Sequence, residues 1–244
     1  MTLTAPPPAL IVSDIVGPVL RGEGPSLGRR CTVIRLGGCN LACSWCDSPQ
    51  DWDGSRYDLS AELSHRLVKN VAADALAGDD GLVVVTGGEP LRQQAQAGWP
   101  ALLDLLADVE VEVETNGTYL PSDESLRGVT RFVVSPKLAN SGAPAWVRLK
   151  PEALDRWADV AHHGQAVFNF VVVDETDVET VSSLIRLYGI PPTHTYVMFE
   201  GTSRDPVLAG TQRLAASVLA AGLNLTTRLG VLLEGGAQPH RRTA

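Results

Sequence analysis

The sequence predicts an α/β fold in which about six parallel strands form a partial, open barrel. Short apolar runs alternate along the chain with longer segments of helical character. This alternation is typical of parallel strands joined by crossover helices. A closed α/β barrel has about eight strands, whereas the runs here number about six or seven. We therefore expect a sheet that stays open on one side, through which a substrate could enter.

Each predicted strand is a short run rich in β-branched or aromatic residues. In chain order, the predicted strands are 32–36, 82–86, 109–114, 132–135, 166–173, 195–199 and 225–233. The predicted helices are 60–77, 99–106, 151–159, 177–188 and 205–221. Ser60 is interpreted as the N-cap of the first helix. Residues 109–114 alternate valine with glutamate, so one face of that strand is expected to be wet.

Composition is typical of a globular protein with a substantial core. The chain has 244 residues, of which 44% are hydrophobic and 20% charged, as expected for a folded domain. We predict a single domain over 1–244, with flexible segments at 1–11 and 234–244. The net charge of -8 argues against binding to nucleic acid or to anionic membranes. No secretory signal or membrane-length apolar run is present in the sequence, so we expect a cytoplasmic protein.

Three of the four cysteines are closely spaced. Cys39, Cys43 and Cys46 follow the pattern C-x3-C-x2-C, and Cys31 lies apart. Thiolates bind zinc and iron-sulfur clusters, but structural zinc commonly uses two paired ligand groups, and only one pair occurs here. Three thiolates would leave one iron of a four-iron cluster open to a small molecule. Cys31 is expected to be a small buried residue. A structural zinc or iron-sulfur module remains the non-enzymatic alternative.

Polar motifs follow the ends of several predicted strands, where active groups collect in parallel α/β folds. Residues 35–47, RLGGCNLACSWCD, resemble the cluster loop of radical S-adenosylmethionine (SAM) enzymes. Residues 22–24, 46–48, 86–90, 114–118 and 135–137 resemble motifs of the 7-carboxy-7-deazaguanine synthase family. The similarity runs from about residue 12 to residue 173. The resemblance implies a partial TIM-like barrel of the radical SAM type.

The resemblance also implies a reaction. Members of this family convert 6-carboxy-5,6,7,8-tetrahydropterin to 7-carboxy-7-deazaguanine and ammonia, on the route to 7-deazapurines such as queuosine. They use a [4Fe-4S] cluster, SAM as a regenerated cofactor, and Mg²⁺. A flavodoxin- or ferredoxin-type reductant and a homodimer are implied as well. A third interpretation is an activating enzyme that places a glycyl radical on a partner protein. That group shares the cysteine spacing but lacks the Gly-Glu-Gly segment before the cluster loop, which argues against it.

Site residues follow from the matching motifs. The implied cluster ligands are Cys39, Cys43 and Cys46. The implied SAM-binding residues are Trp45, Asp47, Gly87, Gly88, Glu89, Glu114, Asn116, Ser135, Pro136 and Lys137. The implied substrate-binding residues are Leu20, Arg21, Gly22, Glu23, Arg35 and Thr86, and Ser48 is the implied Mg²⁺ ligand.

Physical roles can be assigned to several of these residues. Glycines at 87 and 88 would let the backbone approach the methionine moiety of SAM, and Glu89 could accept from its ammonium group. The guanidinium of Arg35 suits a carboxylate, while Glu23 suits the guanidine edge of a pterin.

Four positions depart from the family pattern. Arg21 stands where glutamine is usual, Asn169 replaces a frequent lysine, Gly230 replaces a histidine, and residues 199–201 differ from the usual turn. A buried, unpaired charge is costly, so Arg21 needs either an acidic partner or an anionic group of the substrate. A paralogue that acts on a related substrate is therefore an alternative.

Overall fold

The computed structural model describes residues 6–234, which form a single sheet flanked by helices. In chain order, the strands are β1 (Ala9–Leu20), β2 (Arg30–Leu36), β3 (Ser64–Leu67), β4 (Leu82–Gly87), β5 (Glu110–Thr115), β6 (Arg131–Val134), β7 (Ala166–Val172), β8 (Thr195–Phe199) and β9 (Asn224–Thr226). The helices are α1 (Leu59–Glu62), α2 (Val68–Leu76), α3 (Gly98–Leu105), α4 (Asp123–Gly128), α5 (Ala145–Arg148), α6 (Pro151–His162), α7 (Glu175–Tyr188), α8 (Arg204–Ala220) and α9 (Leu229–Glu234). Short 3-10 turns lie at Pro49–Asp51, Pro90–Gln93, Ala139–Ser141 and Pro192–His194.

The sheet has the strand order β3-β1-β2-β4-β5-β6-β7-β8-β9. From β2 through β9 in this order, neighbouring strands are parallel, whereas β1 runs antiparallel to both β2 and β3. The carboxyl ends of the parallel strands are level with one another: Leu36 pairs with Gly87, and Thr115 with Val134. This register brings the loops after β2, β4, β5 and β6 to one edge of the sheet, as predicted.

Apolar periodicity explains the elements that the sequence predicted well. All seven residues of β7 are buried, as expected for a parallel strand covered on both faces. Helix α6 starts with proline in its first turn, where no amide hydrogen is needed. Its Trp157 packs against Phe132 of β6 with ring centroids 4.9 Å apart. No helix within residues 6–234 is at once long enough and apolar enough to cross a bilayer.

Strand β1 was missed by the sequence analysis. Residues 9–11, which we predicted to be part of a flexible segment, instead begin this twelve-residue strand. Leu10 and Val12 are buried in the core. The polar residues Ser13 and Asp14 and the Gly17-Pro18 pair interrupt the apolar pattern, so the strand had no clear signal. The tail beyond residue 234 lies outside the described residues.

The predicted helix 60–77 is wrong, because a strand interrupts it. Helix α1 ends at Glu62, β3 pairs with residues 9–12 of β1, and only then does α2 begin. Asp58, not Ser60, caps α1: its carboxylate accepts a hydrogen bond from the Ser60 amide at 3.0 Å. The free edge of β1 offers backbone partners to residues 64–67, and this tertiary pairing overrides local helix propensity.

The predicted last strand, 225–233, is also wrong. Strand β9 stops at Thr226, and residues 229–234 form α9. The amide of Leu229 donates to the carbonyl oxygen of Gly22 at 2.8 Å. This long-range contact places the start of α9 beside the loop that follows β1, which no local pattern reveals.

Candidate active site

A cavity of about 1070 Å³ opens at the carboxyl ends of the parallel strands. Cavities that bind one small ligand commonly measure about 300–1,000 Å³. The space is therefore sufficient for a cofactor and a substrate side by side. Residues from the loop after β1, the loop after β2, and the ends of β4, β5 and β6 line its wall.

The loop after β2 presents three thiols to this cavity. Cys39, Cys43 and Cys46 all line its wall. The amide of Leu41 donates to Cys39 Sγ at 3.4 Å, and Trp52 Nε1 donates to Cys46 Sγ at 3.3 Å. Burial raises the pKa of Cys39 to about 12. A metal that binds these sulfurs must therefore displace protons from them.

Cys31 lies away from this loop, as predicted. It is fully buried near the start of β2, where it packs with Leu82 and Val84. Five residue steps along an extended strand separate it from Leu36, a distance of roughly 17 Å at about 3.3 Å per residue. Its pKa is raised to about 11 by burial, so it behaves as a small apolar residue and takes no part in the cavity.

The three thiols fit a cluster with an open iron. Within residues 6–234, no three His, Cys, Asp or Glu side chains converge as ligands of one ion. A [4Fe-4S] cluster is compatible with this spacing, because its cysteines ligate different irons. The donor set consists of thiols alone, which is the set that iron-sulfur clusters prefer. If bound here, the cluster would be held by Cys39, Cys43 and Cys46.

The glycine pair at the end of β4 packs against the cysteine loop. A Cβ on Gly87 would lie 2.2 Å from the carbonyl oxygen of Leu36, and one on Gly88 would lie 2.3 Å from that of Gly38. Gly87 also has a φ of +120°, which other residues rarely adopt. Both glycines line the cavity. The missing side chains thus serve the close approach of two backbone segments, a reason that the sequence analysis did not give.

Glu89 lies at the end of β4 and is bound by other parts of the protein. Its carboxylate is fully buried and is not part of the cavity wall. One oxygen accepts from the Leu91 amide at 3.0 Å and the Thr115 hydroxyl at 2.8 Å, and the other accepts from the Asn116 amide at 2.6 Å. These three protein donors join the ends of β4 and β5 through Glu89. Its predicted contact with the ammonium group of SAM stays a prediction.

Asn116 lines the cavity but is already bound on both sides of its amide. Its Nδ2 donates to Asn40 in the cysteine loop at 2.9 Å, and its Oδ1 accepts from the Thr118 hydroxyl at 2.6 Å. It therefore ties the end of β5 to the loop that carries the cysteines. Its predicted contact with SAM remains a prediction.

Ser135 and Lys137 meet across the cavity from Gly87. Lys137 Nζ donates to Ser135 Oγ at 2.8 Å and lies 5.6 Å from the ring centroid of Trp45. All three residues line the cavity, whereas Pro136 is buried behind them. The cavity wall here carries one ammonium group and one aromatic face, which suits a carboxylate next to a planar base.

Trp45 is held by a side chain that the sequence analysis missed. Its Nε1 donates to Asn140 Oδ1 at 3.2 Å. Asn140 in turn donates to Asp177 of α7 at 2.7 Å and to the carbonyl oxygen of Val171 at 3.0 Å. Trp45, which lies between Cys43 and Cys46 in the sequence, is thereby fixed to the carboxyl end of β7.

Comparison with known proteins agrees with this arrangement. The family described as the radical SAM superfamily matches residues 33–209. The chain is 36% identical over 220 residues to the 7-carboxy-7-deazaguanine synthase of Pyrobaculum aerophilum, with 90% of this chain and 92% of that protein covered. The chain belongs to the radical SAM superfamily and, within it, to the 7-carboxy-7-deazaguanine synthase family. Its cofactors are therefore a [4Fe-4S] cluster and SAM.

Further comparisons give the same family and fold. The synthase of Hyperthermus butylicus is 34% identical, with 88% of this chain and 89% of that protein covered. The crystal structure of QueE from Escherichia coli superposes with a TM-score of 0.65 at 20% identity and covers 91% of this chain and 94% of that chain. Streptococcus suis SuiB bound to SAM gives a TM-score of 0.55 at 16% identity, with 78% of this chain and 48% of that chain covered. At these identities the two structures confirm the predicted open α/β fold alone.

The residues predicted to bind substrate form a second part of the cavity wall, the substrate wall, beside the cofactor wall that carries the cysteines and Gly87, Gly88, Ser135 and Lys137. Leu20, Arg21, Gly22, Glu23, Arg35 and Thr86 all line the cavity. The loop that carries the Gly-Glu-Gly segment is closed by two hydrogen bonds between Arg21 and the 28–29 turn, at 2.7 and 2.9 Å. Asn169, one of the departures from the family pattern, donates to Glu23 at 3.4 Å. The structure therefore brings the six predicted residues together at one cavity, and their contacts with a substrate stay predictions.

Arg21 has acidic partners within the protein. Its Nε donates to Glu112 Oε1 at 2.8 Å, and a terminal nitrogen binds Glu114. Arg21 is 6% exposed and Glu112 only 1%. The predicted wet face of β5 is therefore wrong at Glu112, whereas Glu110 on the same face is exposed. Burial alone would lower the pKa of Arg21, but Glu114, Glu112 and Glu23 outweigh it and raise the pKa. The pKa of Glu114 is lowered because Arg21 and Thr86 outweigh its burial.

Arg228 joins three segments at the mouth of the cavity. It binds the carboxylate of Asp47, directly after the last cysteine, and donates to the carbonyl oxygen of Gly201 at 3.0 Å. The sequence analysis assigned no role to Arg228. Asp47, a predicted SAM-binding residue, is thus an ion-pair partner of the C-terminal segment.

Ser48 lies at the cavity wall and is 6% exposed. Behind it, the fully buried Asp51 accepts a hydrogen bond from the Ser13 hydroxyl at 2.5 Å. Oxygen donors of this kind suit Mg²⁺, which keeps several of its waters. A magnesium ion at this point would be held by the Ser48 hydroxyl, and the substrate would supply further oxygens.

Proposed function

We propose that the chain is a 7-carboxy-7-deazaguanine synthase, which converts 6-carboxy-5,6,7,8-tetrahydropterin to 7-carboxy-7-deazaguanine and ammonia. The observation that carries the proposal is that one cavity holds both halves of such a site. The three thiols line one wall, and Arg35, Glu23 and Thr86 line another. Relatives with this name match nine-tenths of the chain.

Side chains on the cofactor side of the cavity would bind SAM beside the cluster. The cluster and SAM supply, when bound, a one-electron cleavage that yields a radical able to abstract hydrogen from the substrate. Lys137 and Ser135 are placed to bind a carboxylate, and Trp45 to pack against a planar base. Asn116 holds the cysteine loop against β5, so the geometry of this wall does not depend on the substrate.

The substrate side would bind the two ends of a carboxylated pterin. Glu23 offers a carboxylate to the guanidine edge of the ring, and Arg35 offers a guanidinium to its carboxylate. Glu114, which the sequence analysis assigned to SAM, is assigned here to the same guanidine edge because it shares Arg21 with Glu23. The hydroxyl of Thr86 donates to Glu114 at 2.5 Å and so orients it. Ser48 would hold magnesium next to the substrate.

This arrangement removes the main reason to consider a paralogue that acts on a related substrate. We considered it because Arg21 would add a charge to the pocket. Glu112 and Glu114 balance that charge inside the protein, so no additional anionic group of a different substrate is required. Our proposal therefore keeps the substrate of the family.

The reductant and the assembly belong to the same proposal. We expect a flavodoxin- or ferredoxin-type protein to deliver the electron, and two copies of the chain to form a homodimer. Each copy is expected to be a single domain that contains its own complete cavity, since the residues described above all come from one chain.

Turnover by the reconstituted protein tests the proposal. The chain is loaded anaerobically with iron and sulfide, reduced, and mixed with SAM and 6-carboxytetrahydropterin, with and without Mg²⁺. We expect a brown protein with about four irons and four sulfides per chain, and formation of the deazaguanine acid and ammonia in equal amounts. Cleavage of SAM with the pterin untouched would favour the paralogue. Colourless protein that contains zinc would favour the structural module.

A further inference from the structure

Three glutamates share one face of β5 but lie in different surroundings. Glu110, Glu112 and Glu114 are two residues apart, so their side chains point to the same face of the strand. Glu110 is 47% exposed and pairs with Arg29, Glu112 is buried, and Glu114 reaches the cavity. The row therefore leads from solvent, through the protein interior, to the substrate wall.

Glu112 has no access to the cavity, yet it is fully bound. Besides Arg21, its carboxylate accepts from the Ser26 hydroxyl at 2.7 Å and lies 3.7 Å from a terminal nitrogen of Arg131. It does not belong to the cavity wall. A substrate cannot touch Glu112, so any influence of Glu112 on the substrate must pass through Arg21.

The guanidinium of Arg21 is a rigid, planar fork. Arg21 Nε donates to Glu112. This hydrogen bond fixes the plane of the guanidinium on the side away from the cavity. The terminal nitrogens then face two other carboxylates: one binds Glu114, and the other lies 3.8 Å from Glu23 Oε1. Arg21 is thus directed at the two carboxylates that face the cavity.

The charges in this cluster do not favour an anion. The guanidinium of Arg21 faces three carboxylates, whereas Arg35 and Arg228 act on Glu114 and Glu23 from other positions in the cavity wall. A carboxylate of the substrate would therefore have to displace one of these glutamates in order to bind Arg21. A ring edge made of N–H donors would meet the acceptors that it needs.

We propose that Glu112 is a positioning residue of the substrate pocket, which holds Arg21 so that its guanidinium orients Glu114 and Glu23 toward the donor edge of the substrate. Arg21 then acts on the substrate through these carboxylates and is not its anion receptor. The inference rests on the proposed function and extends it, because it assigns the orientation of these two carboxylates to Arg21 and to Glu112, a residue outside the cavity wall.

Kinetics of three variants test the coupling of Arg21 and Glu112. Glu112→Gln should raise KM for the pterin about tenfold, the effect of one lost charged hydrogen bond, and leave KM for SAM unchanged. Arg21→Gln should weaken pterin binding to a similar extent. The double variant should lose no more than the worse single variant, because the two residues act as one unit. Glu110→Gln, two residues earlier on the same face, is the matched control and should behave as wild type.

A direct role of Arg21 as the receptor for a substrate anion predicts different kinetics for these variants. If Arg21 bound a substrate anion directly, Glu112→Gln would leave KM for the pterin unchanged or lower it, and only Arg21→Gln would raise it. Equal losses for SAM and pterin would indicate a general structural role and overturn the proposal. Should Glu112→Gln fail to fold, Glu112→Asp keeps the charge but is one methylene too short to reach Nε, and it carries the same expectation.

A crystal structure of Glu112→Gln separates this inference from the proposed function. The guanidinium of Arg21 should turn away from Glu114 in the variant. If it keeps its contacts with Glu114 and Glu23, Glu112 does not position it, whatever the substrate is. If the guanidinium turns but wild type does not consume the pterin, the positioning role stands and the proposed substrate is wrong.

Discussion

The two walls of the cavity are built in different ways. The cofactor wall depends on backbone packing: Gly87 and Gly88 lie against Leu36 and Gly38 at distances that allow no side chain. The substrate wall depends on ion pairs between side chains, such as Arg21 with Glu112. Where backbone segments pack this closely, a single substitution that adds a side chain causes a clash. A wall made of ion pairs can change if a second residue compensates, and the departures from the family pattern, such as Arg21, are found there.

The largest effect is expected from the cysteines on the cofactor wall. Cys43→Ala should lose the cluster and all turnover, because the remaining two thiols cannot hold it. Cys31→Ala, a change of the same size in the core under β2, should keep iron, sulfide and activity while losing some stability. Iron and sulfide analysis together with the turnover assay measures both. Activity in Cys43→Ala would contradict the assignment of the loop.

A smaller but still large effect is expected at Gly88. Gly88→Ala should destabilise the protein by about 3 kcal/mol, since overpacking against a rigid backbone costs about 1–3 kcal/mol or more. It should also reduce iron loading, because Gly38 carries the start of the cysteine loop. Gly81→Ala, at the other end of β4, meets no atom within 4 Å and should cost only about 1–2 kcal/mol, for its positive φ. Urea unfolding compares the two variants, and equal costs would contradict a backbone-built wall.

The buried carboxylate of Glu89 should give an intermediate effect. Glu89→Gln places an amide NH₂ among three hydrogen-bond donors, which costs about 1–3 kcal/mol. Glu124→Gln, at an exposed carboxylate near the start of α4, is the control and should change stability little. Urea unfolding of both variants at neutral pH checks the difference.

The cost of Glu89→Gln should also depend on pH. Burial raises the pKa of Glu89 to about 7, above its ordinary value. The folded chain thus holds this proton more tightly than the unfolded chain, and the stability from this group is lost as the pH rises through about 7. The variant has no such group, so its deficit against wild type should be larger at pH 5 than at pH 8. An equal deficit at pH 5 and pH 8 would contradict the raised pKa and show that the carboxylate is ionised throughout.

The smallest effect is expected where a side chain supports the cofactor wall. Asn140→Ala removes the hydrogen bond to Trp45 and should raise KM for SAM about threefold, the effect of one neutral hydrogen bond. Asn224→Ala removes an amide that binds two carbonyl oxygens beside β8, away from the cavity, and should leave KM unchanged. A hundredfold effect at Asn140 would mean that the cofactor wall also depends on its side chains.

The strands that carry the cofactor wall were predicted well because their patterns are local. Strand ends in a parallel sheet share one edge, so residues that follow β2, β4 and β6 had to meet there. Strands 82–86, 132–135 and 195–199 needed no knowledge of distant partners, and they agree with the structure to within one residue at either end.

The substrate wall was harder to predict because its contacts join residues far apart in the chain. Arg21 and Glu112 are 91 residues apart, and Arg228 and Asp47 are 181 apart. The sequence established that Arg21 needs an acidic partner, but the alternation of β5 suggested a wet face for the residue that supplies it. Strand β3 was lost for the same reason, since its partner in β1 precedes it by more than fifty residues.

The ion pair between Arg228 and Asp47 has a consequence for how the protein matures. Arg228, near the end of the described residues, binds Asp47 in the cysteine loop, which is synthesised much earlier. A nascent polypeptide that has emerged only as far as α8 lacks this ion pair and the contact between Leu229 and Gly22. The cavity that contains the three cysteines therefore gains its full set of wall contacts only after residues 228 and 229 have been synthesised.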